Sequence, residues 1–331
     1  MTGMIEIAQQ NLLSPMVLFF ALGLFASFVK SDLSIPEAIA KTMAVYLMMA
    51  IGFKGGVELA NAGASVTLFA VLAAGAVVSA VLPLIGFGLL SATSRLARVD
   101  RAAVAAHYGS ISIVTFVAAT QAVTTAGLAY DGYLIAVAAV MESPAIITAL
   151  MLARRGQPAA ATPDAEAAQA SSHLWREIAF NSSVLMLTGA FVIGMVTGKQ
   201  GLEMISPFII DPFRGVLCLF LLDMGLIAGR GLRGGAGKLP LPVIAFGLYM
   251  PVLGALLAAG LAMAIGLSAG SAALFITLAA SASYIAVPAA MRLALPEAKP
   301  SIYLTLSLGV TFPFNLALGI PFYIWLAETV T

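Results

Sequence analysis

The chain has 331 residues, of which 61% are hydrophobic and only 9% are charged. Soluble domains carry about a quarter charged residues, so this composition indicates a surface in lipid rather than in water. The 16 Lys and Arg residues nearly balance the 15 Asp and Glu residues, which argues against a nucleic-acid binder that relies on a basic face. Cys218 is the single cysteine, which excludes an intrachain disulfide and a cysteine-cluster metal site.

Ten apolar stretches follow one another along the chain, each about as long as the roughly 20 residues that cross a bilayer as a helix. They are rich in Ala, Leu and Gly and do not alternate, which favours helices over the strands of a membrane barrel. The predicted spans are about 12–29, 38–53, 65–91, 102–122, 132–153, 178–197, 210–229, 239–266, 271–291 and 301–327. The sequence therefore predicts an all-α membrane protein with ten transmembrane helices.

Basic residues near the predicted helix ends indicate the orientation, because Lys and Arg bias a loop towards the cytoplasm. Thirteen of them lie beside the connections that follow odd-numbered helices, and the other side has only Lys54, Lys199 and Arg214. The connections after odd-numbered helices are therefore predicted to be cytoplasmic, with both termini periplasmic.

The two halves of the chain resemble each other across a polar, Ala/Pro/Ser-rich stretch. Similar features recur at an offset of about 170 residues, as with Ser110 and Ser281. We therefore expect a first five-helix repeat over 1–153, a cytoplasmic linker over 154–177 and a second five-helix repeat over 178–331. Because five is an odd number, the second repeat is expected to be inverted.

Inverted repeats place a binding site at the membrane midplane, where broken helices face each other. The fourth span carries Gly109, Ser110 and Ser112 at mid-helix, and the ninth carries Ser283 followed by Pro288. Small residues and proline weaken helical hydrogen bonding, so both helices are expected to unwind there and to offer backbone N–H groups to a small anion. The alternative is that the small residues only allow close helix packing.

Ionisable side chains inside predicted spans are costly and point to function. Glu142, next to a proline, is expected to bind a hard cation such as sodium together with freed carbonyl oxygens. Its counterpart in the second half is Thr311, with Asn315 one turn later, and Asp223 is a second acidic candidate. For both acids the alternatives are a neutralised carboxyl group or a salt bridge to a residue such as Lys54.

At these same residues the sequence closely resembles the SbtA family of sodium-dependent bicarbonate transporters. The matching stretches are IPEAIAKTMAVYLMMAIGFKGGVELA, AAHYGSISIVTFVAATQ, MESPAII, DMGLIAG and ASASYIAVPAAMRLALPEAKPSIYLTLSLGVTFPFNLALGIP, spread over about residues 35–321. The resemblance implies ten helices in two inverted repeats, with broken helices crossing at the midplane. It also implies a homotrimer and inhibition by SbtB, a small PII-like protein on the cytoplasmic face.

The resemblance further implies two sets of site residues. Bicarbonate would be bound by Gly109, Ser110, Ser112, Ala282, Ser283 and Tyr284, and the co-transported Na⁺ would be bound by Thr115, Glu142, Thr311 and Asn315. Hydroxyls and half-helix amides would then bind the anion without a buried arginine, and the nearby sodium would offset its charge.

We interpret the sequence as a sodium-dependent bicarbonate symporter of the bacterial inner membrane that works by alternating access. Membrane lipid is expected to surround it. The alternatives are a sodium-coupled transporter of another small carboxylate and a membrane receptor or scaffold that does not transport. A sodium/proton antiporter would need Glu142 and Asp223 to meet. An enzyme is disfavoured, since no nucleophile–base set or metal cluster accompanies the polar residues.

Overall fold

The computed structural model describes residues 13–62, 65–154, 182–234, 239–284 and 286–331. Regular structure in these ranges is entirely helical. The helices are α1 (Pro15–Phe28), α2 (Glu37–Ala62), α3 (Val66–Thr93), α4 (Arg98–Gly109), α5 (Ile113–Thr125), α6 (Leu134–Arg154), α7 (Ser182–Ile209), α8 (Phe213–Gly234), α9 (Leu241–Ile265), α10 (Ala269–Ala280), α11 (Ala286–Ala294) and α12 (Pro300–Val330). The expected linker over 154–177 lies outside the described residues apart from its first.

Seven segments of the described chain are helical, long and apolar enough to cross a membrane. They are α2, α3, the pair α4–α5, α6, α8, α9 and α12, and the apolar helices α1 and α10 are shorter. Each predicted span coincides with one helix or with a broken pair of helices. The prediction of an all-α membrane protein is confirmed.

Two helices extend well beyond their predicted ends. The second span was expected to end at residue 53, yet α2 continues through Lys54 to Ala62. The lysine does not end the helix because it lines a cavity rather than lipid, and Gly55 next to it packs against α6. The sixth span was expected to end at residue 197, yet α7 continues past Gly198, whose φ of 59° produces a kink.

The helices pack as two groups. α1 lies against α8 and α2 lies against α7, and we call these four helices the panel. The remaining helices form the bundle, in which α3 contacts α4 and α6 while α9 contacts α10 and α12. Both broken helix pairs belong to the bundle, so the panel faces the breaks from one side.

Glycines bring the panel helices into backbone contact. A Cβ atom at Gly56 of α2 would lie 1.9 Å from the Phe191 carbonyl oxygen, and one at Gly194 of α7 would lie 2.1 Å from the Phe53 carbonyl oxygen. α1 and α8 show the same arrangement, since Gly23 lies against the Leu222 carbonyl and Gly225 against the Phe20 carbonyl. Such small-residue contacts are typical of tightly packed membrane helices.

Candidate functional site

The first break lies between α4 and α5, where the sequence predicted it. α4 ends at Gly109, and Ser110 to Ser112 are not helical before α5 begins. The Ser112 hydroxyl caps α5 by accepting a hydrogen bond from the Thr115 N–H at 3.2 Å, and it also accepts one from the Thr115 hydroxyl at 2.9 Å. This cap holds the positive end of the α5 dipole at the break.

The second break lies between α10 and α11. α10 ends at Ala280 and is followed by the non-helical residues 281–284. Pro288 lies in the first turn of α11. It has no N–H to donate to the Tyr284 carbonyl four residues earlier, so it disfavours a helix that continues through residues 281–284, as expected. The Ser283 hydroxyl accepts a hydrogen bond from the Val287 N–H at 3.4 Å, so a serine lies at the start of this half-helix as well.

The two breaks contact each other through reciprocal hydrogen bonds. The Ser112 N–H donates to the Ser281 hydroxyl at 2.8 Å, and the Ser283 N–H donates to the His107 carbonyl oxygen at 2.7 Å. The Ser281 hydroxyl in turn donates to the Leu278 carbonyl at 2.8 Å. The start of α5 is thereby joined to the end of α10, and the segment before α11 is joined to the last turn of α4. This brings the two breaks to one place, where helix N-termini favour a small anion.

The predicted anion-binding residues are brought together at this crossing. Six residues are buried or lie within the buried breaks, namely Gly109, Ser110, Ser112, Ala282, Ser283 and Tyr284. The Tyr284 hydroxyl lies beside Ser112, but makes no hydrogen bond of normal geometry within the described part of the chain. It is therefore an available donor at the break.

Glu142 lies at the first break. Its side chain is only 8% exposed, and its Oε2 accepts a hydrogen bond from the Ser110 hydroxyl at 3.0 Å. The alternative of a salt bridge to Lys54 is wrong, since the one ion pair among the described residues joins Lys41 and Glu37. Within the described part of the chain, the carboxyl group thus keeps accepting capacity that no other protein group fills.

The helix that carries Glu142 is opened by another serine. Ser79 lies on α3, and its hydroxyl donates to the Met141 carbonyl of α6 at 2.6 Å and accepts from the Ala145 N–H of α6 at 3.2 Å. It thus bridges two groups that would otherwise bond directly. Pro144 also lacks an N–H, which frees a second carbonyl oxygen. The Met141 carbonyl is thus occupied by Ser79, and the Val140 carbonyl lacks its helical donor, so the helical hydrogen bonding of α6 is interrupted beside Glu142.

The other predicted sodium residues divide between two places. Thr115 lies at the first break, bonded to Ser112. Thr311 and Asn315 lie on α12, which contains two π-helical turns, Ser307–Thr311 and Asn315–Gly319. Turns of this kind shift carbonyl oxygens out of the regular ladder and are frequent at functional sites.

Both α12 side chains are already engaged. The Thr311 hydroxyl bonds with the Tyr108 hydroxyl and donates to the Gly247 carbonyl. The Asn315 amide donates to the Ala280 carbonyl at 3.0 Å, and its oxygen accepts from the Tyr323 hydroxyl at 2.7 Å. Asn315 therefore secures the end of α10, directly before the second break.

The side chains of Asp223 and His107 make no described hydrogen bond to the two breaks. Asp223 is buried on α8 of the panel, whereas Glu142 is on α6 of the bundle, and no described contact joins the two acids. The His107 ring is buried at the end of α4, where its Nδ1 bonds with the Ala103 carbonyl and it stacks on Tyr303 at 4.4 Å. Only its carbonyl oxygen reaches the second break.

Sequence reasoning left several functional neighbours out of the predicted site. Ser281 was recognised as the repeat counterpart of Ser110, and that offset was the signal that could have added it. Ser79 reaches the site from α3, Tyr108 directly precedes Gly109 on α4, and Tyr323 lies on α12 after Asn315. No local pattern marked their hydrogen bonds.

The family of the chain follows from a comparison with known families. Residues 15–328 match the Na⁺-dependent bicarbonate transporter superfamily. No curated protein matches the chain. The matched range includes both breaks and Glu142, so it covers the whole site described above. The chain therefore belongs to the Na⁺-dependent bicarbonate transporter superfamily.

Proposed function

We propose that the protein is a sodium-dependent bicarbonate symporter that imports bicarbonate by alternating access. The observation that carries the proposal is the crossing of two broken helices whose starts are capped by Ser112 and Ser283 and cross-linked by hydrogen bonds. Transporters with inverted repeats bind their substrates at discontinuous helices of this kind.

The proposed anion site uses neutral donors. Bicarbonate carries one negative charge on a small planar group, and serine hydroxyls, the Tyr284 hydroxyl and half-helix N–H groups can bind it. Two positive helix ends favour the anion without a buried arginine. The serine- and glycine-lined breaks leave little apolar surface for a bulky organic anion.

The proposed sodium site is centred on Glu142 and the opened turn of α6. The carboxylate, the carbonyl freed by Pro144 and the hydroxyls of Ser110 and Thr115 are the oxygen ligands that a hard cation prefers. Thr311 and Asn315 are proposed to support this region from α12. Because sodium would lie near bicarbonate, each ion lowers the cost of burying the other, which couples their transport.

The contacts of the panel support two inverted five-helix repeats. Gly23 of α1 against α8 corresponds, at an offset of 171 residues, to Gly194 of α7 against α2. The repeats are proposed to span 1–153 and 178–331, joined by the 154–177 linker. Movement of the bundle against the panel would open the crossing first to one side and then to the other.

The orientation and partners are proposed from the sequence. The excess of basic residues after odd-numbered helices supports periplasmic termini in the bacterial inner membrane. The SbtA resemblance supports a homotrimer and an SbtB regulator on the cytoplasmic face. Exposed apolar side chains on α7, such as Val196 and Met204, provide a surface for lipid or for another subunit.

Uptake of labelled bicarbonate into proteoliposomes, with and without an inward sodium gradient, tests the proposal. We expect sodium-dependent accumulation that falls about tenfold in Ser110→Ala, because the variant loses a hydroxyl at both proposed sites. Ser91→Ala is the matched control, since Ser91 is exposed and bonds only within α3.

Two other results of these experiments would favour a different function. Competition by another small carboxylate, with no bicarbonate accumulation, would identify a transporter of that anion. Binding of bicarbonate by folded, inserted protein without any uptake would favour a receptor or scaffold.

A further inference from the structure

A cavity of about 360 Å³ lies between the panel and the bundle. The panel contributes α2 and the corner between α7 and α8, and the bundle contributes α5, α6 and the connection between them. Charged and polar lining residues are Lys54, Thr120, Gln121, Thr124, Asp131, Asp211 and Arg214. Phe116, one turn after the Ser112 cap of α5, also lines it. The cavity therefore leads along α5 towards the first break.

Lys54 is the unusual group of this cavity. It belongs to a membrane-spanning helix, its side chain is exposed to the cavity, and no carboxylate of the described chain lies within ion-pair distance. Its helix cannot rotate the charge away, because Gly55 lies against α6 and Gly56 against α7. An ionisable side chain inside a span that faces a wet cavity commonly marks an ion pathway.

Arg214 lies at the same cavity and connects its two walls. Its Nε donates to the Gln121 Oε1 at 3.2 Å, from α8 of the panel to α5 of the bundle. The terminal nitrogens of the guanidinium are not used in this bond and remain donors for an oxyanion.

The two acidic residues of the lining are placed differently. The Asp131 carboxylate accepts a hydrogen bond from the Ser271 hydroxyl at 2.7 Å, and the Asp131 N–H donates back to that hydroxyl at 3.0 Å. Asp211 lies in the exposed corner between α7 and α8, where water screens its charge. Both carboxylates keep their charge, but neither lies within ion-pair distance of Lys54.

We propose that this cavity is an outer subsite for a small oxyanion, with Lys54 as its counter-charge and Arg214 as a donor at its rim. The anion would occupy it before reaching the broken helices. The identity of that anion as bicarbonate rests on the proposed function. The volume holds a small anion together with several waters, each of which takes about 30 Å³.

Charge-selective cysteine labelling tests the subsite without relying on transport. In a Cys218→Ser background, Thr124→Cys places a thiol on the cavity lining, and Thr125→Cys places one on the neighbouring exposed residue outside the lining. We expect an anionic methanethiosulfonate to react faster, relative to a cationic one, at position 124 than at position 125. Lys54→Gln should reduce that preference about tenfold, and Lys54→Arg should retain it.

Bicarbonate protection then distinguishes the two proposals. Bicarbonate should slow labelling at position 124 in the background protein but not in Lys54→Gln. An unchanged charge preference in folded Lys54→Gln would overturn the subsite, even if sodium-dependent bicarbonate uptake is normal. Protection by another small oxyanion but not by bicarbonate would support the subsite and overturn the proposed substrate.

Discussion

α6 and α12 carry different side chains, with different hydrogen bonds, at the positions that the proposed repeat makes equivalent. In α6 the position is Glu142, a carboxyl group with one described hydrogen bond, from Ser110. In α12 it is Thr311, a neutral hydroxyl engaged by Tyr108 and Gly247. Among the described residues, the Glu142 carboxyl group therefore keeps oxygen lone pairs that no protein donor fills, whereas the Thr311 hydroxyl is engaged on both sides. Under the proposed function, one copy of the repeat would bind the ion and the other would support the structure.

Among the substitutions that test this difference between α6 and α12, removing the charge of Glu142 should have the largest effect on transport. We expect Glu142→Gln to raise the sodium concentration for half-maximal uptake about tenfold or more, since about 1.4 kcal/mol of lost ion binding gives a factor of ten. Sodium titration of bicarbonate uptake measures it. Glu203→Gln, at an exposed position on α7, is the matched control. An unchanged sodium titration in folded Glu142→Gln protein would remove this residue from the sodium site.

A methyl group at Gly109 should have the next largest effect. An alanine Cβ there would lie 2.3 Å from Pro83 Cγ and 2.8 Å from the Ser79 carbonyl, so α4 must move away from α3. We expect Gly109→Ala to destabilise the protein by about 1–3 kcal/mol and to reduce the maximal rate of uptake. Thermal unfolding in detergent and uptake kinetics measure the two effects.

Gly88→Ala is the control for that substitution. Gly88 lies on α3, the helix against which Gly109 packs, and nothing lies within 4 Å of a Cβ atom at Gly88. Equal stability of both variants would show that the first break tolerates movement of α4. The inference that close packing fixes this break would then be wrong.

Thr311→Val should have the smallest effect, and it should concern stability rather than sodium. The substitution removes a hydroxyl that bonds with Tyr108 and Gly247 but keeps the volume, so we expect a loss of about 1–2 kcal/mol. The apparent sodium affinity should change less than in Glu142→Gln. A loss of sodium dependence as large as that of Glu142→Gln would show that the two halves share the ion, and the contrast between them would be removed.

The sequence predicted the apolar spans and the site of the first break, because hydropathy, glycine and serine act locally. It also predicted the second break, since Pro288 in the first turn of α11 leaves the carbonyl four residues earlier without its helical donor. It ended α2 too early because Lys54 was taken to mark the membrane surface. A span can include Lys54 because this side chain faces a cavity that α2 forms with other helices. Hydropathy along the sequence contains no information about such a cavity.

The hydrogen-bond partners of the site were the least predictable part. Ser79 inserts into α6 from a helix about 60 residues earlier, and Tyr323 reaches Asn315 from about two turns later on α12. The first contact depends on how α3 and α6 cross, and the second depends on the π-helical turn between the two residues. The repeat offset nevertheless identified Ser281 and Thr311 as counterparts, so internal symmetry is informative where local patterns are not.

The glycine contacts of the panel have a mechanical consequence. At Gly56 and Gly194 one backbone lies directly on another, so at these two points no side chain lies between the helices that could change rotamer and take up a displacement. α2 and α7 are expected to behave as one stiff plate, and α1 and α8 as a second. A displacement of either pair at one membrane surface would then be transmitted to the other surface. Bending would be confined to the contacts between the panel and the bundle.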